Sequence, residues 1–284
     1  MIGSREVDAA LRLALPKIAY EVRPDYLYAL KSALDKAEEG SREQQILELL
    51  YRNDQIATSE QRPLCQDTGT VWLSLELGSE EVLVGNPFAH ADNIIAEAYE
   101  HGALRMSVVK DALLDRSNTN TNTPAFYEVH FRPGTGATLH IMLKGGGSDN
   151  ASKIKMLAPA EGYDGIKRFV LDTVIEKAAN ACPPLVIGIG VGGSFDTVAS
   201  LAKHQLLRPI GEPNPNKELA LLEKDLLDAV NALNIGAGGM GGKTTALAVH
   251  VASAPCHIAA LPVAINMGCS ALRTASIQLE DILQ

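Results

Sequence analysis

Apolar residues recur at helical spacing over the first sixty positions. Val7, Leu11, Leu15 and Ile18 form one stripe, Leu27, Leu30, Leu34 and Ala37 a second, and Ile46, Leu49 and Leu50 a third. These stripes predict three amphipathic helices, and Ser41 with Gln44 predicts a capping box opening the third. The character changes at Arg62-Pro63. Alternation over 71–77 predicts a strand, 91–105 a helix, and the Asn/Thr-rich stretch 116–125 a turn-rich loop. Strands follow at 126–132 and 137–144, the second running into the loop KGGGSDN (144–150). A long amphipathic helix (163–180) precedes 184–191, which is apolar on both faces and so predicts a central strand. Helices at 194–206 and 217–233, a glycine-rich loop at 236–242, and strands at 246–252 and 261–265 complete the order. This order predicts an α/β fold, with α+β as the variant: one domain over 1–284, in which a helical layer (1–60) precedes a mixed-sheet core (61–284) with glycine-rich loops.

Composition narrows the class. Of 284 residues, 46% are hydrophobic and 21% charged, which fits a packed globular chain and not a disordered one. Lys and Arg number 25 against 34 Asp and Glu, a net charge of -9 with no basic stripe, so nucleic acid is a poor partner. No run of 18 apolar residues predicts a membrane span, and the N-terminus has no signal-peptide core. A cytoplasmic chain is the simplest expectation. Four cysteines (Cys65, Cys182, Cys256 and Cys269) are too few for a disulfide framework and leave inert thiols or metal ligands.

Candidate chemistry lies in the loops 65–70, 144–150, 188–194 and 236–242, where glycine lets backbone N–H groups approach a ligand. Ala237–Thr244 (AGGMGGKT) fits a relaxed phosphate-loop pattern, but it follows a helix and precedes a strand, the reverse of the order that motif needs. Asp67-Thr68-Gly69 matches the aspartic-protease triplet, yet that chemistry needs two such aspartates and the chain has one. Cys65, Cys182 and Cys269 each stand beside Pro or Gly at the edge of a turn, an odd place for core-filling thiols. Three thiolates can hold a [4Fe–4S] cluster and leave one iron open as a Lewis acid. Their separations, 117 and 87 residues, are too long for spacing alone to argue it.

PLCQDTGT (63–70), KGGGSDN (144–150), CPPLVIGIGVGGSFD (182–196), GAGGMGGKTTALAV (236–249) and HIAALPVAINMGCSALR (257–273) resemble the class I, iron–sulfur-dependent fumarate hydratases and, equally, L(+)-tartrate dehydratase. The resemblance runs over about 20–280 and matches the α subunit of the two-subunit form. It implies a [4Fe–4S] cluster on Cys65, Cys182 and Cys269, with Cys256 the competitor for the third place. It also implies a small dicarboxylate substrate, fumarate and (S)-malate or alternatively L(+)-tartrate giving oxaloacetate. Asp67 becomes an acid/base candidate, and Gln66, Arg105, Gly146, Gly147 and His257 substrate contacts. Each has a plainer reading: a turn-capping carboxylate for Asp67, a solvated helix end for Arg105, a cap or core histidine for His257, a bare hairpin turn for the glycine loop. Lys144, Lys243 and Arg273 are weaker candidates. More positive charge is needed than Arg105 and His257 supply, so a separate β subunit is expected to complete the site, within an α₂β₂ assembly.

Overall fold

The structure is a computed structural model and describes residues 1–282. The chain divides into two compact units, Met1–Arg23, Asp54–Gly146 and Arg273–Gln284 in the first, Pro24–Asn53 and Gly147–Leu272 in the second. The three predicted N-terminal helices form, as α1 (Ser4–Tyr20), α2 (Pro24–Lys36) and α3 (Arg42–Glu60). They do not make the separate layer expected over 1–60: α1 belongs to the first unit, α2 to the second, and α3 is divided between them. Ser41 Oγ accepts from Gln44 N–H at 3.1 Å, while the Gln44 side chain accepts from Gly40 N–H at 2.7 Å, one residue earlier than a capping box requires.

The first unit is built on a sheet of order β2-β1-β3-β8. Here β1 (Thr70–Gly78) runs parallel to β2 (Phe126–Arg132) and antiparallel to β3 (Ala137–Lys144), and β3 is antiparallel to β8 (Arg273–Gln278). Val7, Leu11 and Leu15 of α1 and Ile94 and Ile95 of α4 (Ala91–His101) bury against Leu73, Leu75, Leu77, Leu139 and Ile141. Burying side chains of this size contributes about 1.5–3 kcal/mol each. The helix predicted over 91–105 stops at His101, because Gly102 closes the last turn on Ala98 O and Ala103 turns left-handed (φ 49°). Arg105 therefore sits in a loop rather than at a helix end.

The second unit carries a sheet of order β4-β7-β5-β6, from β4 (Lys153–Leu157), β7 (Leu261–Gly268), β5 (Leu185–Gly193) and β6 (Ala246–Cys256). As its double-sided apolar pattern predicts, β5 is an inner strand, parallel to β6 and antiparallel to β7. Phe169, Val170 and Val174 of α6 (Gly162–Lys177) and Leu226 and Val230 of α8 (Lys217–Ala232) cover one face. Val198 and Ala202 of α7 (Thr197–His204) pack with Ala264. The KGGGSDN stretch contains a short helix, α5 (Gly146–Asn150), rather than a plain loop. No helix among the described residues is long and apolar enough to cross a membrane.

Candidate active site

In the first unit, three strand ends meet. The register pairs Thr70 with Lys144 and Leu143 with Arg273, so the turn before β1, the turn after β3 and the start of β8 lie at one end of the sheet. Asp67 is the centre of this cluster. Its Oδ2 accepts from Gly146 N–H at 2.8 Å and its Oδ1 from Gly69 N–H at 3.1 Å. Arg105 Nη2 stands 3.5 Å from Oδ1, with the arginine side chain 57% exposed and the carboxylate 28%. Gly69 adopts φ +80°, and a Cβ there would lie 2.7 Å from the Lys144 backbone, so the close approach of β1 to β3 needs glycine. Bonds of this kind fix the direction of a carboxylate.

The Arg105 loop is tied down by groups that the sequence reading missed. Thr68 Oγ1 donates to Arg105 O. Asn122, fully buried, bridges the two loops: its Nδ2 donates to Gly69 O at 3.0 Å and its Oδ1 accepts from Ser107 N–H at 2.7 Å. Tyr99 Oη donates to the carbonyls of Thr68 and Gly69 at 3.1 and 3.0 Å. Burial pushes the Tyr99 phenol up to about 12, so it stays a neutral donor. The Asn/Thr-rich run 116–125 signalled a turn correctly but gave no sign that one of its asparagines would be buried under the Asp67 loop.

Arg273, one of the weaker candidates, lies buried beside this cluster. It is 1% exposed, and its Nε and Nη1 have no hydrogen-bond partner among the described residues. A Cβ built on Gly145 would lie 3.3 Å from Asp67 Oδ2 and 3.8 Å from Arg273 Nη2, so both side chains flank that glycine. A buried guanidinium with unfilled donors is costly unless an anion is near, and Asp67 is the carboxylate on this side.

In the second unit, the thiols Cys182 and Cys269 are brought to one end of the sheet. Val186 pairs with Gly268, and Ser270 N–H donates to Cys182 O at 2.9 Å. Cys182 is exposed and left-handed (φ 55°), Cys269 half-buried, and none of the four cysteines is in a disulfide. A carbon-lined core would favour neither placement, whereas thiols at neighbouring strand ends are of the donor type that a soft metal centre takes. Cys65 lies in the first unit, directly before Gln66 and Asp67, both of which reach the surface. Cys256 is at the opposite end of the second sheet, where its thiol donates to Ala260 O at 3.2 Å. Gly147 opens the second unit, and a Cβ there would lie 3.2 Å from Asn180 O, two residues before Cys182.

His257 stands apart from the two thiols of this unit. It lies in the turn between β6 and β7, so the eight residues of β7 separate it from Cys269, about 26 Å at roughly 3.3 Å per residue. The structure does not bring it to Cys182 and Cys269. Its Nδ1 accepts from Ala259 N–H at 3.1 Å, the bond of a turn-capping histidine.

The AGGMGGKT loop has the predicted helix before it and strand after it. It lines a cleft of about 970 Å³ with Lys36, Arg42, Lys243 and Thr244. The loop already holds an anion: Glu43 Oε1 accepts from Thr244 N–H at 2.5 Å, and a Cβ on Gly242 would fall 2.5 Å from the Glu43 carboxyl carbon. A phosphate has no vacancy at that backbone.

A carboxylate fixed by backbone N–H groups beside an exposed arginine, on an α/β scaffold with thiols at strand ends, is the equipment of an enzyme for anionic substrates. Comparison with known proteins specifies the class. The chain belongs to the fumarate hydratase (Fumerase) family, whose model matches residues 8–278, and is a hydro-lyase of that family. It is 40% identical over 257 residues to a Methanocaldococcus jannaschii protein provisionally named L(+)-tartrate dehydratase subunit alpha, covering 87% of this chain and 89% of that one. It is 33% identical over 260 residues to the L(+)-tartrate dehydratase subunit alpha of Escherichia coli strain UTI89 (90% and 85% covered) and over 258 residues to that of strain K12 (89% and 84%).

Proposed function

We propose that this chain is the α subunit of an iron–sulfur hydro-lyase that interconverts fumarate and (S)-malate, and that a separate β subunit completes its site. The observation that carries the reading is the juxtaposition of Cys182 and Cys269, 87 residues apart in sequence, at adjoining strand ends. Cys65, Cys182 and Cys269 would hold a [4Fe–4S] cluster. When bound, the group supplies a Lewis-acidic iron for the substrate hydroxyl. Cys256, engaged with Ala260, stays outside the set.

The chain's own residues supply binding and proton transfer. Asp67, oriented by Gly69 and Gly146, exchanges a proton with the substrate. Arg105 receives one carboxylate through the N–H groups it does not direct at Asp67. Gln66 and the backbone of Gly146 and Gly147 line the approach. Arg273 and Lys144, both buried, keep the field at this sheet end positive for a doubly anionic substrate.

L(+)-tartrate is the second reading, favoured by the names of the relatives. The same elimination of a hydroxyl serves both substrates. Anaerobic reconstitution of the chain with its β partner, assayed in parallel on (S)-malate and L(+)-tartrate, separates them. The larger kcat/KM names the substrate, and activity on neither removes the reading.

A further inference from the structure

The cleft of about 970 Å³ beside the AGGMGGKT loop lies wholly in the second unit, among α2, the turn into α3, α8 and the start of β6. Its size is that of a small-molecule site. Much of its wall is apolar: Ala29 and Ala33, one turn apart on α2, with Leu227 of α8 and Leu247 of β6. Tyr28, 78% exposed, and Met240, 58% exposed, line the same cleft and leave an aromatic ring and a thioether facing solvent.

Three cations stand around this apolar slot. The side chains of Lys36, Arg42 and Lys243 line the cleft, all are exposed, and none has a hydrogen-bond or ion-pair partner among the described residues. The carboxylates in the cleft are mostly occupied. Asp25 accepts from Ile210 N–H at 2.7 Å, and Glu43 from Thr244 N–H at 2.5 Å, which leaves Glu38. In a chain of net charge -9 this is a local reversal of sign. Like charges gathered in one place repel, and an anion from outside offsets that repulsion.

The wall that carries Lys243 is held before any ligand arrives. Gly241 N–H donates to Ile235 O and Gly238 N–H to Pro183 O, each at 2.8 Å. Asn231 Oδ1 accepts from Thr245 and Ala246 N–H at 2.9 Å. A site built this way spends little binding energy on ordering itself. The loop backbone is filled by Glu43, so a ligand meets the cations through their side chains.

We propose that this cleft binds a nucleoside polyphosphate, its flat ring against Tyr28 and the apolar wall and its phosphates on Lys36, Arg42 and Lys243. The inference does not depend on the enzymatic reading. It is tested by isothermal titration of ATP, adenosine and inorganic triphosphate into the full chain, with far-UV circular dichroism confirming the fold of each variant. ATP should bind one to one with a Kd of about 10–100 µM, weakening as salt is added. Adenosine and inorganic triphosphate should each bind at least about tenfold more weakly, since each lacks half of the contacts. Lys36→Glu with Lys243→Glu should weaken ATP at least about tenfold. Lys217→Glu with Lys224→Glu changes the net charge equally outside the cleft and should leave the Kd unchanged. Ala33→Trp fills the apolar wall and should weaken ATP while sparing inorganic triphosphate.

No saturable ATP binding at about 1 mM overturns the proposal. So does equal weakening in the two double variants, which would make the attraction a general effect of charge. Inorganic triphosphate that binds as tightly as ATP overturns it as well, because the ring then contributes nothing. Loss of ATP binding when the β subunit is added also overturns it and gives the cleft to a subunit contact.

Discussion

Asp67 and Glu43 are both carboxylates set against glycine-rich backbone, one in each unit of the molecule. Asp67 accepts from Gly69 and Gly146, faces the exposed Arg105, and remains partly open to solvent. Glu43 accepts from Thr244 N–H and presses on Gly242, filling its loop from the side of α3. Glycine content does not distinguish the two loops. What separates them is whether the loop's N–H groups orient a carboxylate that still faces outward beside a cation, or are used up by one that latches a helix.

The strongest break of this comparison is at Asp67 itself. Under the proposed function, Asp67→Asn should lower kcat by about 10²–10⁴ with the melting temperature little changed. Glu43→Ala should leave kcat within about twofold. An Asp67→Asn enzyme with full turnover removes the residue from the reaction. Arg105→Lys comes next. Losing planar two-point binding should cost about ten- to a hundredfold in kcat/KM, carried mainly by KM. Steady-state kinetics with the β partner present checks both.

The second loop should respond in stability instead. Glu43→Ala leaves Thr244 N–H without its acceptor and should cost about 1–3 kcal/mol, read by thermal or urea unfolding. Glu43→Ala with unchanged stability would show that the latch is idle. The smallest effect is expected at Tyr99. Its pKa is raised from the ordinary 10 to about 12 by burial, so its contribution to stability is complete below pH 10 and lost as pH rises through 12. Absorbance titration at alkaline pH should show one tyrosine ionising with unfolding; Tyr99→Phe should remove that step.

The parts of the fold that were legible in the sequence are those where one pattern has one cause. Alternation over 71–77 and the double-sided apolar run at 184–191 gave β1 and β5, because burial on one face or two is written directly into residue type. β4 and β8 were not predicted: each has polar residues on a half-exposed face, and what makes them strands is pairing with β7 and β3 far along the chain. The same division holds at the candidate site. Asp67 and Arg105 stood in recognisable motifs, and the structure pairs them. Asn122 acts through a contact with Gly69 that spans 53 positions, beyond any local pattern; Arg273 was legible only as a weaker candidate, because its burial beside Gly145 depends on residues 128 positions away. His257 shows the complementary case: twelve positions from Cys269 in sequence, it lies at the other end of an extended strand.

The central claim is that Cys65, Cys182 and Cys269, and not Cys256, bind the cluster. It is tested most directly by anaerobic iron–sulfur reconstitution of the wild type and of the four single Cys→Ser variants, reading bound iron and sulfide with the visible absorbance of the cluster. The account predicts a full cluster in the wild type and in Cys256→Ser, and its loss or marked depletion in Cys65→Ser, Cys182→Ser and Cys269→Ser. A Cys269→Ser chain that binds as much iron and sulfide as the wild type, or a Cys256→Ser chain that binds none, would contradict it.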